Sequence, residues 1–192
     1  MKSHNGMRPQ DVVILLKIIT IKKDNWQYRE LSAQLAISIS EISESLVRSS
    51  MAGLVDASRR IVHRQALMEF IEYGLHYVFP QVPGTFVNGI PTAHSHEFFK
   101  NVFESDLPFV WPDENGSVRG LAVIPLYKGV TIAAKNDDKL YKLLACVDVI
   151  RVGRVREVKL ALKELNKLIL VESLSKYHKN KSRSSGIAGI SK

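Results

Sequence analysis

Few side chains in this sequence are arranged to make or break bonds. His94 and His96 stand in Pro91-Thr92-Ala93-His94-Ser95-His96, followed by Glu97. On an extended segment the two imidazoles would point the same way. No cysteine or second carboxylate stands at a ligand-like distance, so a solvent-exposed pair is expected and no metal. Cys146 is the single cysteine. It lies beside Val147 on an amphipathic segment, where a buried, inert thiol is expected. Phe98, Phe99, Phe103, Phe109 and Trp111 are dense and read as core. No Gly-rich phosphate loop, nucleophile elbow or paired catalytic carboxylate is visible, so no enzyme and no cofactor are expected. What remains is binding chemistry. Arg59, Arg60 and Arg64, with His63 between, suit phosphate oxygens. Ser38, Ser40 and Ser43 lie close to Glu44 and Arg48, groups that donate to or accept from polar edges.

The whole chain has 192 residues, with 27 Lys and Arg against 19 Asp and Glu, a net +8. Hydrophobic residues at 45% exclude a wholly disordered chain. No apolar run approaches the ~18 residues of a membrane span, and Met1 to Met7 lacks the apolar core of a signal peptide. One cysteine leaves no intramolecular disulfide, which suits a reducing cytoplasm. The charge is uneven. Residues 1–80 carry 10 basic and 8 acidic side chains, and residues 81–136 carry 4 and 5. Residues 137–170 carry 8 and 5, and residues 171–192 carry 5 and 1. Half of the excess therefore lies in a Ser/Gly/Lys-rich C-terminal tail, expected to be mobile beyond about residue 176.

The elements that position these residues follow from periodicity. Val12, Val13, Leu15, Leu16, Ile18 and Ile19 give a broad apolar face after Pro9, a helix start. Residues 22–25 read as a turn. Leu31 and Leu35 mark a second helix. Ser38 or Ser40 can cap a third, and Glu41 stands three residues after Ser38, as a capping box requires. Ile42 and Leu46 face inward along it, and Gly53 ends it in a left-handed turn. Leu54-Val55 and Ile61-Val62 flank a polar tip, a small hairpin or loop. A fourth helix spans about 64–78, before Pro80. Six of the seven prolines lie between residues 80 and 125, which disfavours long helices there. One short helical piece is expected over 96–104. Phe109-Val110-Trp111 and Val118 to Ile124 flank Asp113-Glu114-Asn115-Gly116 and predict a β-hairpin. Two long helices follow, over 137–150 and from 154 to about 173, each with an apolar face.

The order helix, helix, serine-rich turn, helix, Gly-Leu-Val, small hairpin is carried by Tyr28 to Ser38, by Ile42 and Leu46, and by Ala52-Gly53-Leu54-Val55. In this the chain resembles winged helix-turn-helix bacterial transcriptional regulators of the broad MarR-like kind, over residues 8–78 only. The resemblance implies that the third helix enters a major groove. Its face would be Ser40, Glu41, Ser43, Glu44 and Arg48, with Ser38 at its start. Arg48 would pair with a guanine edge, and the serines would meet bases or phosphates. Arg59, Arg60 and Arg64 would hold phosphates from the wing. Glu41 and Glu44 count against this, since they make that helix net negative.

The fold class expected is α+β, mainly α. Residues 8–78 form the winged helix, 79–170 a partner, effector or dimerisation part with one hairpin and two long helices, and 171–192 a basic tail. The expected function is transcriptional regulation through double-stranded DNA. The expected state is a homodimer, formed through an apolar face of the C-terminal helices. The alternative is a protein-interaction module, such as the antitoxin of a toxin–antitoxin pair, with residues 79–170 as partner surface.

Overall fold

The structure is a computed structural model that describes residues 6–21, 23, 25–100, 102–103 and 107–171. The basic tail beyond Val171, and residues 22 and 24 of the turn at 22–25, lie outside the described residues. The molecule is mixed α+β and mainly helical.

Helix α1 (Pro9–Thr20) starts on Pro9, whose fixed φ suits a first turn. Every residue from Asp11 to Ile19 is buried. A helix enclosed on all sides must lie inside the protein. Around it pack α2 (Tyr28–Leu35), α3 (Ile39–Met51) and α8 (Asp138–Val152). The turn between α2 and α3 is tight because Ala36 takes a left-handed φ of 52°. Ser38 caps α3, its Oγ accepting the Glu41 N–H at 3.2 Å. Gly53 ends it at φ 73°, the left-handed turn expected.

Val55 and Val62 form one antiparallel bridge. The tip between them is organised by the Asp56 carboxylate, which accepts the N–H groups of Arg60 and Ile61, each at 2.8 Å. These donors and the Ser58 hydroxyl lower the Asp56 pKa to about 2, with Ser58 the largest cause. The single helix expected over 64–78 is broken at Gly74 into α4 (Arg64–Tyr73) and α5 (Leu75–Val78).

Three short strands follow: β1 (Phe86–Pro91), β2 (Phe109–Pro112) and β3 (Val118–Ala122). The sequence-predicted hairpin does not form. β2 and β3 are parallel to each other, with Phe109 opposite Leu121. Each instead pairs antiparallel with β1, and the three close into a small barrel. Gly89 is the crossing point, standing opposite both Pro112 and Val118. A Cβ on Gly89 would lie 2.1 Å from the Trp111 carbonyl oxygen, and one on Gly116 would lie 2.3 Å from the Gly89 Cα. Only glycine permits that approach.

The barrel is tied to α8 by a buried carboxylate. Asp148 accepts from Thr92 Oγ1 at 2.7 Å, Trp111 Nε1 at 2.5 Å and Arg151 Nη1 at 2.8 Å. Burial pushes the Asp148 carboxyl above its usual range, while Arg151 and the two other donors pull the other way. Arg151 also donates to the carbonyls of Phe79 and Ile124.

His94 and His96 differ from the exposed pair expected. Both are buried, around a 3-10 turn at Ala93–Ser95, before the short α6 (Glu97–Lys100). His94 Nε2 lies 3.0 Å from the Leu107 carbonyl oxygen. His96 Nδ1 accepts the Phe98 N–H at 3.1 Å, and its ring meets Tyr141 edge-on. Cys146 is buried, and burial raises its thiol pKa to about 12.

After α7 (Val130–Lys135), α8 and α9 (Val155–Asn166, extended by a π-helical turn at Lys167–Val171) complete the chain. Their apolar residues, from Leu140 to Ile150 and from Ala161 to Ile169, join one core with α1 and α4. That placement differs from the expectation that one of these faces is left for a second subunit. The core is also continuous across residues 78 and 79, where the sequence changes from helix-rich to proline-rich.

Candidate nucleic-acid interface

Helix α3 has two distinct sides. Ile42, Ser45, Leu46, Arg48 and Ser49 are buried. Ser40 and Glu44 are exposed, with Ser43 half-buried beside them. Ile39, Val47 and Met51 complete the outward side and are 49%, 41% and 64% exposed. Of the residues expected to read bases, Ser38, Ser40, Ser43 and Glu44 lie at or near solvent. Ser38 spends its hydroxyl partly on the cap and lies 3.2 Å from Ser40 Oγ.

Arg48 is the correction. It is turned inward, where its Nε and Nη2 donate to the two oxygens of the fully buried Asp11 at 2.9 and 2.7 Å. Its Nη2 also reaches Glu41 at 2.8 Å. Arg8 and Gln10 hold the same Glu41 oxygen at 3.3 and 2.6 Å. The Asp11 contact, chiefly, raises the Arg48 pKa further. Its remaining nitrogen, Nη1, faces the Glu44 carboxylate at 3.8 Å, so the guanidinium is directed at three carboxylates of its own chain and not at a guanine edge. It fixes α3 to α1. The network also takes up Glu41, so the capping box is only half formed, and Glu44 is the carboxylate that faces solvent.

The expected phosphate contacts divide in the same way. Arg64 lies partly under the surface and donates from Nη1 to the Ile169 carbonyl oxygen at 2.7 Å. Burial lowers its pKa. It closes the end of the last helix and does not project with the wing. Arg60 is exposed but held. Its guanidinium lies 4.7 Å over Trp26 and 5.3 Å from the Tyr28 ring, and Nη1 donates to the Trp26 carbonyl at 2.6 Å. Trp26 and Tyr28 stack at 5.7 Å. That stack orients Arg60 and fastens the tip to the start of α2. Arg59 takes a φ of 59° at the tip. His63 faces solvent, its Nδ1 2.8 Å from the Gly53 carbonyl oxygen.

Sequence reasoning missed three further parts. Arg29, on the first turn of α2, is exposed on the side that precedes the turn. Tyr127 and Gly129 brace that turn from the far part of the chain. The Tyr127 hydroxyl donates to the Leu35 carbonyl oxygen at 2.8 Å, and a Cβ on Gly129 would stand 2.8 Å from the same atom. Lys17 joins α1 to α8 through Asp137 at 2.7 Å. Burial would raise the Asp137 pKa, but Lys17, the Leu140 N–H and Thr20 outweigh it and hold the group low. A signal for the Arg48 pair did exist. Asp11 opens the apolar run of Val12 to Leu16 at helical spacing from Leu15, and a carboxylate carried inward on such a helix requires a buried cation.

Set against known families, curated proteins and solved structures, the chain matches none.

Proposed function

We propose that the chain binds double-stranded DNA through α2 and α3 and regulates transcription. The observation that carries this reading is the two-sidedness of α3. Buried ionic and apolar contacts hold it from behind, while Ser40, Ser43, Glu44 and Val47 stand outward on a rigid rod. Serine hydroxyls can pair with bases or phosphates, Glu44 can accept from a cytosine amino group, and Val47 can meet a thymine methyl. Arg59 and Arg60 at the tip, with Arg29 on α2, supply phosphate contacts that fix the helix in register.

A mobility-shift assay tests it, using the DNA upstream of the chain's own gene and a shuffled duplex of equal length. Wild type prefers the upstream DNA. Ser43→Ala with Glu44→Ala removes most of that preference, about tenfold or more at ~1–3 kcal/mol per specific contact. Arg59→Gln weakens both duplexes alike. A wild-type chain that shows no preference overturns the reading.

A second reading has its own observation. Tyr73, Tyr77, Val78 and Val82 are 69%, 80%, 50% and 81% exposed. Such large side chains in solvent suit a protein partner, as in an antitoxin. A protein encoded next door that co-purifies in fixed stoichiometry supports it. A homodimer on a palindromic site would also need a surface of this kind, because the faces of α8 and α9 are used internally. A sedimentation mass near 21.6 kDa at micromolar concentration would exclude it.

A further inference from the structure

The last helix carries a row of cations that the proposed interface does not use. Arg156, Lys159, Lys163 and Lys167 follow at spacings of three, four and four, and all four are exposed. Those spacings put them on one face of α9. The helix holds two carboxylates, and both are occupied elsewhere. Glu157 accepts the Arg154 N–H at 2.8 Å in the first turn. Glu164 is buried against Lys142 at 2.7 Å. No described acidic side chain forms an ion pair with any of the four. Like charges three and four apart disfavour a helix locally, so α9 keeps this row at some cost. The row ends beside the wing: Ile169, two residues after Lys167, receives the Arg64 guanidinium, and Arg64 opens the helix after the wing.

We propose that this ridge is a second DNA contact, a backbone-binding rail that extends the footprint of the wing along the duplex. It rests on the reading of α3 as the groove helix only for its placement; its own chemistry is that of phosphate binding. From Arg156 to Lys167 the ridge runs ~16 Å at 1.5 Å per residue. At 3.4 Å per charge on one strand it faces about five phosphates. Lysines without fixed partners are point charges suited to backbone anions and carry no base preference. The ridge raises affinity for any duplex and leaves sequence choice to α3.

The test is salt dependence in the full chain, tail included. Binding to the upstream duplex and to a random duplex is measured between 50 and 200 mM salt (about the range over which phosphate contacts are read). Three proteins are compared: wild type, Lys159→Gln/Lys163→Gln/Lys167→Gln, and Ser43→Ala/Glu44→Ala. The expected result is a triple variant whose log–log salt slope is shallower by about two to three on both duplexes. The arginine version of the triple substitution restores the slope. The α3 variant keeps the slope and loses the preference. A glutamine triple variant with wild-type slope and affinity overturns the ridge and leaves the α3 reading intact. A wild type without sequence preference, whose slope still falls in the triple variant, overturns the α3 reading and supports the ridge as a backbone contact. Absence of duplex binding at low salt, or tighter binding to phosphatidylserine vesicles than to duplex that the triple variant loses, overturns the ridge as a DNA contact.

Discussion

Arg48 shows how much one buried contact decides. Its bidentate grip on Asp11 is buried, with Asp11 fully enclosed and Arg48 7% exposed. Removing one member of such a pair leaves a naked charge, which costs ~3–5 kcal/mol. Arg48→Ala is therefore expected to lower the denaturation midpoint strongly, as read by chemical unfolding. Loss of DNA binding in that variant would report a loosened α3 and not a lost base contact. His96 gives a second prediction. Burial, with Lys142 nearby, lowers its pKa from 6.5 to about 4, while the unfolded chain keeps the ordinary value. Between these pH values the unfolded state binds the extra proton. Stability therefore rises with pH across that window and falls as pH drops from 6.5 to 4. The penalty at pH 4 is ~2 kcal/mol, allowing for the part of the ring that solvent still reaches. His96→Gln should flatten the melting temperature over that range. Neither role was legible from residue type alone. Arginine and histidine near a presumed interface look the same whether they face a ligand or a carboxylate in the core.

Local periodicity reads helices well and strand partners poorly. Pro9, Ser38 and Gly53 marked helix ends that the structure keeps, because caps depend on near neighbours. The β2 and β3 runs were also legible as extended. Their pairing was not, since Asn115-Gly116 signals a turn whether the chain folds back on itself or passes across β1. The non-local choice is made by Gly89 and Gly116, whose close approach no alanine can reproduce. Gly89→Ala is expected to open the barrel, with a loss of ~3 kcal/mol or more from overpacking against backbone. Near-ultraviolet circular dichroism of Trp111, packed beside that crossing, would follow the change. A wild-type melting curve and spectrum for the variant would refute the crossing.

At the scale of the molecule, α1 is shared. It is enclosed by α2 and α3 together with α8, and Lys17 pairs with Asp137 at the start of α8. The Leu35 carbonyl meets Tyr127, and Arg64 meets Ile169. A fragment of residues 8–78 would lose all of these partners and expose part of the α1 surface. It is expected to show no cooperative thermal transition, whereas the chain through residue 171 melts as one unit. A sharp transition in the short fragment would overturn the shared core. The sequence boundary near residue 79 is real as a change of composition. It does not mark a break in packing, because apolar periodicity shows which face is buried and never against what.

The division of α3 into a gripping side and a free side bears on how such a chain could change its target. Ile42, Leu46 and Arg48 answer to α1 and to stability, whereas Ser40, Ser43 and Val47 lie on the outer side and Glu44 touches the grip through a long, solvent-exposed ion pair with Arg48 at 3.8 Å. Substitutions at the free positions can accumulate one at a time without compensation elsewhere. At Asp11 and Arg48 a viable change must come in pairs. A library randomised at the four free positions should therefore yield folded proteins at high frequency, which makes this helix a practical starting point for retargeting.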